Sequence, residues 1–302
     1  MDRGVYFLAD DRIIDLVVAF LNSFRTYNPS IPLCLIPFNS NIDHITQLQT
    51  KYHFQIYSDS EILNQCDELG SRISGKIGRA VRKLAAWHGS FEKFIYIDVD
   101  TIVLDNLDFV FEYLDHYAFI SSHSNMSGLK KFVWKDSIDI AGFLSPEQIA
   151  YSANMGFIAS KKGVLSLQIL ENKLTEVIAV SMHMEFYYQD QSLMNYLIVT
   201  SGRQYTSLFV LYFSYPGASN NIKLEQWAGQ KGVMVKDGRL SFKKNHHPIL
   251  LMHWAGEWQA TSFDRKVYYL LKLFGFKKKT EDPVIRFFMP YKKLWKYYRY
   301  KN

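Results

Sequence analysis

The stretch from Gly4 to Asp98 alternates short apolar runs with segments of helical spacing, and no other feature restricts the fold so much. Gly4–Ala9 is an apolar run closed by Asp10-Asp11. Ile13, Ile14, Val17, Val18, Phe20 and Leu21 then recur at helical spacing as far as Thr26, where Asn28-Pro29 stops the helix. Ile31–Phe38 and Phe54–Tyr57 read as strands, with a helix between them marked by Ile42, Ile45 and Leu48. This βαβαβ pattern predicts an α/β fold with parallel strands and helical crossovers. A further helix is expected over Ile77, Ala80, Val81, Leu84 and Ala85, ending near His88-Gly89, and Lys93–Asp98 is the most strongly patterned strand. Later, Tyr117–Ser121, Gly156–Ser160 and Ile249–His253 read as strands and Gln191–Val199 as a helix, while Ser214–Phe242 reads as loop-rich.

Composition narrows the function classes. The 48% hydrophobic and 16% aromatic content excludes a disordered chain. Two cysteines, Cys34 and Cys66, provide no disulfide framework and read as reduced packing thiols, which suits an intracellular compartment. Of 35 Lys+Arg, ten lie in the segment from Lys272 to Asn302 with two acids, leaving 25 bases against 27 acids on the body. A near-neutral body, with no ribonucleoprotein-like or zinc-finger motif, argues against nucleic acid as a partner. No apolar run is long enough for a signal peptide core or a membrane span, so a cytoplasmic protein is expected.

The chemistry concentrates at Phe94-Ile95-Tyr96-Ile97-Asp98-Val99-Asp100. Continued as a strand, this segment would send Asp98 and Asp100 the same way, roughly 7 Å apart, at the carboxyl end of a parallel sheet where ligands bind. Two carboxylates so placed repel each other unless a cation lies between them, and a divalent ion bridging to phosphate is the usual solution. A strand-ending turn with solvated acids would read the same way. Asp98-Val99-Asp100-Thr101 also fits the nucleophile motif of haloacid-dehalogenase-like phosphatases. Those enzymes carry it on the first strand and follow it with an acidic pair, and the pair available here, Glu281-Asp282, lies in the basic tail.

Six segments in order carry a more extensive resemblance. They are Phe7-Leu8-Ala9-Asp10-Asp11, Arg82-Lys83-Leu84, Tyr96–Asp100, Asn154-Met155-Gly156-Phe157, Gln189-Asp190-Gln191 with Asn195, and His253-Trp254-Ala255-Gly256. From about Gly4 to about Trp258 the chain resembles glycosyltransferase family 8, which contains glycogenin and bacterial lipooligosaccharide galactosyltransferases. The resemblance implies a GT-A fold, a Rossmann-like nucleotide-sugar-binding domain with a mixed central sheet, spanning residues 1–276. It also implies a retaining transferase that moves glucose or galactose from a UDP-sugar.

Each site residue follows from that resemblance. Asp10 would face the uracil, and Asp98 the ribose and the metal. Asp100 and His253 would complete a ligand set that suits Mn²⁺, although a lone His ending an apolar strand would otherwise read as a core histidine. Gly256 would let backbone approach the phosphates. The family follows that glycine with Lys-Pro-Trp, and here Glu257-Trp258-Gln259 stands instead. Lys83 would supply the missing phosphate cation, sharing a helix face with Arg79; its alternative is a solvated basic face. Asp190 would hold sugar hydroxyls, its alternative being a helix cap. Gln191 would lie near the anomeric carbon, and Asn154 would bind sugar hydroxyls.

Residues 277–302 form a separate basic aromatic tail. Its interleaved Lys/Arg and Phe/Tyr/Trp predict contact with an anionic membrane surface and a glycan or glycolipid acceptor. A C-terminal helix packed by its aromatics is the alternative. A degenerate sugar-nucleotide-binding protein at a membrane is the non-enzymatic one, favoured by the absent Lys-Pro-Trp.

Overall fold

The computed structural model describes residues 1–75, 78–188, 190–214, 221–228, 232–236 and 239–255. Gln189, Gly256 and the tail at 277–302 lie outside the described residues. The central sheet has seven strands in the order β3-β2-β1-β4-β7-β6-β8. These are β1 (Arg3–Ala9), β2 (Leu33–Pro37), β3 (Phe54–Ile56), β4 (Lys93–Ile97), β6 (Phe119–Ser121), β7 (Phe157–Lys161) and β8 (Tyr205–Ser207). β1 to β4 run parallel, and β7 is antiparallel to both its neighbours. The expected mixed α/β sheet is therefore present.

The alternating pattern of the sequence becomes two cores, one on each face of the sheet. Val5, Phe7 and Ala9 of β1 pack with Val17, Phe20 and Phe24 of the helix Ile14–Tyr27. Tyr6 and Leu8 point the other way and join Phe94, Tyr96, Leu84 and Trp87. Helices cover both faces, so β1, β2 and β4 carry nearly continuous apolar runs rather than alternating with polar residues.

Two expectations are corrected. Gly78–His88 is an eleven-residue 3-10 helix rather than an α-helix, and it is preceded by an α-helix, Ser60–Ser74, that the apolar pattern did not single out. Three residues per turn stack residues 79 and 82, and both side chains reach Asp67, Arg82 at 2.6 Å and Arg79 at 3.6 Å. Lys83 therefore leaves the face it was expected to share with Arg79. The loop-rich stretch instead contains β9 (Leu224–Trp227), β10 (Val233–Lys236) and β11 (Arg239–Phe242). β9 lies beside β12 (Ile249–His253), which also pairs with β5 (Thr101–Val103), in a three-stranded sheet of order β5-β12-β9. The short strands escaped detection because pairing with distant segments, rather than local periodicity, makes them strands.

Cys34 and Cys66 are free and buried. Among the described residues, no helix is long and apolar enough to cross a membrane.

Candidate functional site

The strand order reverses between β1 and β4, the place where α/β sheets leave a crevice outside their carboxyl ends. A cleft of about 890 Å³ opens there. β4 stops at Ile97, so Asp98 and Asp100 stand in the bend beyond the strand rather than within it. The bend is pinned by backbone. Asp98 N donates to Gly156 O at 2.8 Å, and Trp254 N donates to Asp100 O at 3.0 Å. The antiparallel register sets His253 opposite Thr101.

The side chains of Asp98, Asp100 and His253 consequently converge, with one ligand atom from each lying within 4.8 Å of the others. His253 Nε2 is 3.2 Å from Asp100 Oδ1. A Cβ on Gly156 would come within 2.2 Å of His253 Cε1, so the absence of a side chain at Gly156 is what seats the ring. Two carboxylates and an imidazole around one point, with that seat behind them, fit a divalent ion held by Asp98, Asp100 and His253.

Burial opposes a charged imidazole at His253, yet Asp100 and Glu225 raise it well above the ordinary histidine range. Glu225 Oε1 lies 2.6 Å from His253 Nδ1. Sequence reasoning missed Glu225. The available signal was an acid two residues before Trp227 in the short run Ile222–Ala228, which is too brief to show a period.

A second charged cluster lies across the bend. Lys83 Nζ is 3.2 Å from Asp98 Oδ1 and 3.0 Å from Asp190 Oδ2. The Asp190 contact is an ion pair lying off the hydrogen-bonding direction. Tyr96 donates its hydroxyl to Asp98 Oδ1 at 2.7 Å. Burial would lower Lys83, but Asp190 and Asp98 outweigh it and hold the ammonium charged. Burial raises the carboxyl of Asp190, against the pull of Lys83. Asp190 precedes the helix Gln191–Val199 but makes no side-chain cap. Its carboxylate is directed at Lys83 instead.

The remaining expected residues divide. Gln191 lines the cleft and donates its amide to Phe132 O at 3.1 Å. Asn154 also lines it, but its Nδ2 donates to Glu225 at 2.9 and 3.1 Å and its Oδ1 accepts from Gly156 N. Asp10 ends β1 outside the cleft wall. Its oxygens accept from Arg12 Nε at 2.8 Å and Asn39 Nδ2 at 2.6 Å, and it caps the turn Asp11–Ile13. Lys83 lines the cleft and pairs there with two carboxylates, Asp98 and Asp190.

Two solved structures share the architecture. The galactosyltransferase LgtC, solved with donor and acceptor sugar analogues, superposes with a TM-score of 0.51 over 92% of this chain and 98% of its own, at 13% identity. Its fold is that of the GT-A glycosyltransferases. Mouse xyloside xylosyltransferase 1 superposes with a TM-score of 0.50 over 84% of this chain and 98% of its own, at 8% identity. The bifunctional glycosyltransferase WbbM is similar to this chain over 89% of its length at 13% identity, with a TM-score of 0.49, and the chain spans only 49% of that protein. The family model described as "Mannosyltransferase putative" matches residues 38–118, which include the Asp98–Asp100 bend. None of the curated proteins matches the chain by sequence. The GT-A fold removes the phosphatase reading of Asp98-Val99-Asp100-Thr101, because here the motif ends β4 beside the antiparallel β7, and not the first strand.

Proposed function

We propose that the protein is a metal-dependent, retaining glycosyltransferase that moves glucose or galactose from a UDP-sugar to a glycan or glycolipid acceptor. The observation that carries this reading is the convergence of Asp98, Asp100 and His253 in the cleft at the sheet's reversal point, within a GT-A fold. Asp98, Asp100 and His253 would hold the ion, and a mixed carboxylate and imidazole set favours Mn²⁺ over Mg²⁺. Such an ion supplies charge neutralisation to a departing diphosphate.

The chain's own residues do the rest. Lys83 keeps Asp190 and Asp98 from repelling each other and holds the Asp190 carboxylate toward the cleft, where it accepts hydrogen bonds from sugar hydroxyls. Gln191, anchored on Phe132 O, faces the same space. Leu8, Ile13, Phe38, Leu129 and Phe132 give the cleft apolar walls that displace water around the reacting centre.

A thermal-shift panel tests the reading. UDP-glucose or UDP-galactose with Mn²⁺ should stabilise the protein by about 2.7 kcal/mol at one hundred times the dissociation constant. An identical response in metal-free buffer, or none to any nucleotide sugar, would sink it. The mannosyltransferase family match over 38–118 favours a second donor, so GDP-mannose belongs in the panel. Asp190→Asn should cut transfer by orders of magnitude and leave UDP affinity nearly unchanged. Retention would be read from the anomeric configuration of the product by NMR.

The basic aromatic tail at 277–302 supports a peripheral membrane position for the enzyme. Truncation after Gly275 should abolish sedimentation with anionic liposomes, as should high salt on the intact chain. Failure of the full-length protein to sediment at low salt would remove that part.

A further inference from the structure

Glu225 lies outside the proposed ligand set, and its side chain is fully buried, at 0% exposure. An enclosed carboxylate is costly unless its oxygens are satisfied. Here they are. Asn154 Nδ2 donates at 2.9 and 3.1 Å, His253 Nδ1 lies at 2.6 Å, and His123 Nδ1 stands at 3.7 Å. A carboxylate oxygen accepts, and Asn154 Nδ2 donates to both oxygens of Glu225, so in the His253–Glu225 contact the ring donates from Nδ1 while Nε2 turns toward Asp100.

We propose that Glu225 is a positioning residue that fixes His253 in the Nδ1–H tautomer and in the ring orientation that offers Nε2 to a divalent ion, with Asn154 holding Glu225 in turn. This rests on the metal reading above. A free imidazole can rotate and can carry its proton on either nitrogen. A carboxylate on Nδ1 removes both freedoms and raises the basicity of the other nitrogen. Gly156 leaves the room in which the ring sits, since a Cβ there would come within 2.2 Å of His253 Cε1. Asn154 thereby acts behind the histidine, with its amide nitrogen engaged by Glu225.

The experiment is a double-variant cycle on the full-length protein, with free Mn²⁺ read by electron paramagnetic resonance. Glu225→Gln presents an amide that can donate to Nδ1 and so favour the wrong tautomer; it should weaken Mn²⁺ binding about 10- to 100-fold. In the His253→Ala background the same change should weaken it no further, because Glu225 acts only through the ring. Losses that multiply in the double variant, or a Glu225→Gln protein with wild-type affinity, overturn the proposal. Should Glu225→Gln melt before the assay temperature without metal, Glu225→Asp replaces it. That variant keeps the charge but draws it back by one methylene, and it must still weaken Mn²⁺ about 3-fold or more; unchanged affinity again overturns the role. The two readings fail separately. Wild-type Mn²⁺ affinity in His253→Ala would end the metal reading itself, whereas loss in His253→Ala without loss in Glu225→Gln would end only the role of Glu225.

Discussion

Asp98 and Asp100 are two residues apart in one motif, yet different partners neutralise them. Asp98 keeps 30% of its side chain exposed and leans on the Lys83 ammonium and the Tyr96 hydroxyl. Asp100 is 9% exposed and faces the His253 imidazole, itself backed by Glu225. The ammonium of Lys83 is a permanent cation wedged between Asp98 and Asp190. The imidazole can exchange its proton for a metal ion. Asp98 therefore shares its charge with a fixed cation, whereas Asp100 faces a cation that can be discharged.

That contrast can be broken most sharply from the His253 side. His253→Ala and Asp100→Ala should each reduce Mn²⁺-dependent UDP-sugar hydrolysis at least about 100-fold while the circular dichroism of the metal-free protein stays native. If His253→Ala keeps the wild-type metal dependence, the two aspartates do not differ in the way described. From the other side, Lys83→Met strands the buried carboxylate of Asp190 and the half-buried one of Asp98. Urea denaturation of the metal-free protein should show a loss of about 3–5 kcal/mol, where Asp100→Asn should cost less because His253 retains Glu225. Equal losses would erase the distinction between a permanent and an exchangeable cation.

Gly156→Ala sharpens the comparison at intermediate scale. The added methyl must push the His253 ring, costing about 1–3 kcal/mol of stability and lowering Mn²⁺ affinity, with the Lys83 cluster unaffected. The smallest effect is expected at Asp10, outside the cleft. Arg12 bonds and Asn39 hold its carboxyl below the ordinary value despite burial. A lowered folded-state value means that the pair stabilises the protein at neutral pH and that this contribution fades as the pH falls below about 4. Arg12 is 66% exposed, so Arg12→Ala should cost only about 0.2–1 kcal/mol at pH 7, and the gap from wild type should narrow as the pH falls below about 4 in urea titrations.

The parts of the molecule legible in the sequence are those whose physics is local. β1, the helix Ile14–Tyr27 and β4 follow the period of their own apolar residues, and Gln191–Val199 and Ile249–His253 have the boundaries expected of them. Asp98, Asp100 and His253 were found because motif order carries information about the fold. Glu225 and the strand that bears it were not, since a four-residue strand gains its identity from β12 beside it. The ion pairs of Lys83 with Asp98 and Asp190 were not legible in the sequence. No spacing in Arg79–Lys83 reveals that the turn is a 3-10 helix, or that Asp67 claims the two arginines. Asp10 is a motif residue whose carboxylate is engaged by Arg12, two residues further along the chain.

β12 is the middle strand of its sheet, threaded between β5 and β9, and it delivers His253. During synthesis the bend at Asp98–Asp100 emerges early and must wait for most of the remaining chain. Until residues 249–253 have cleared the ribosome, a nascent protein has carboxylates and Lys83 but no imidazole. Pairing across so long a stretch is slow to form. An ion held by all three side chains would therefore have to wait until β12 has paired with β5.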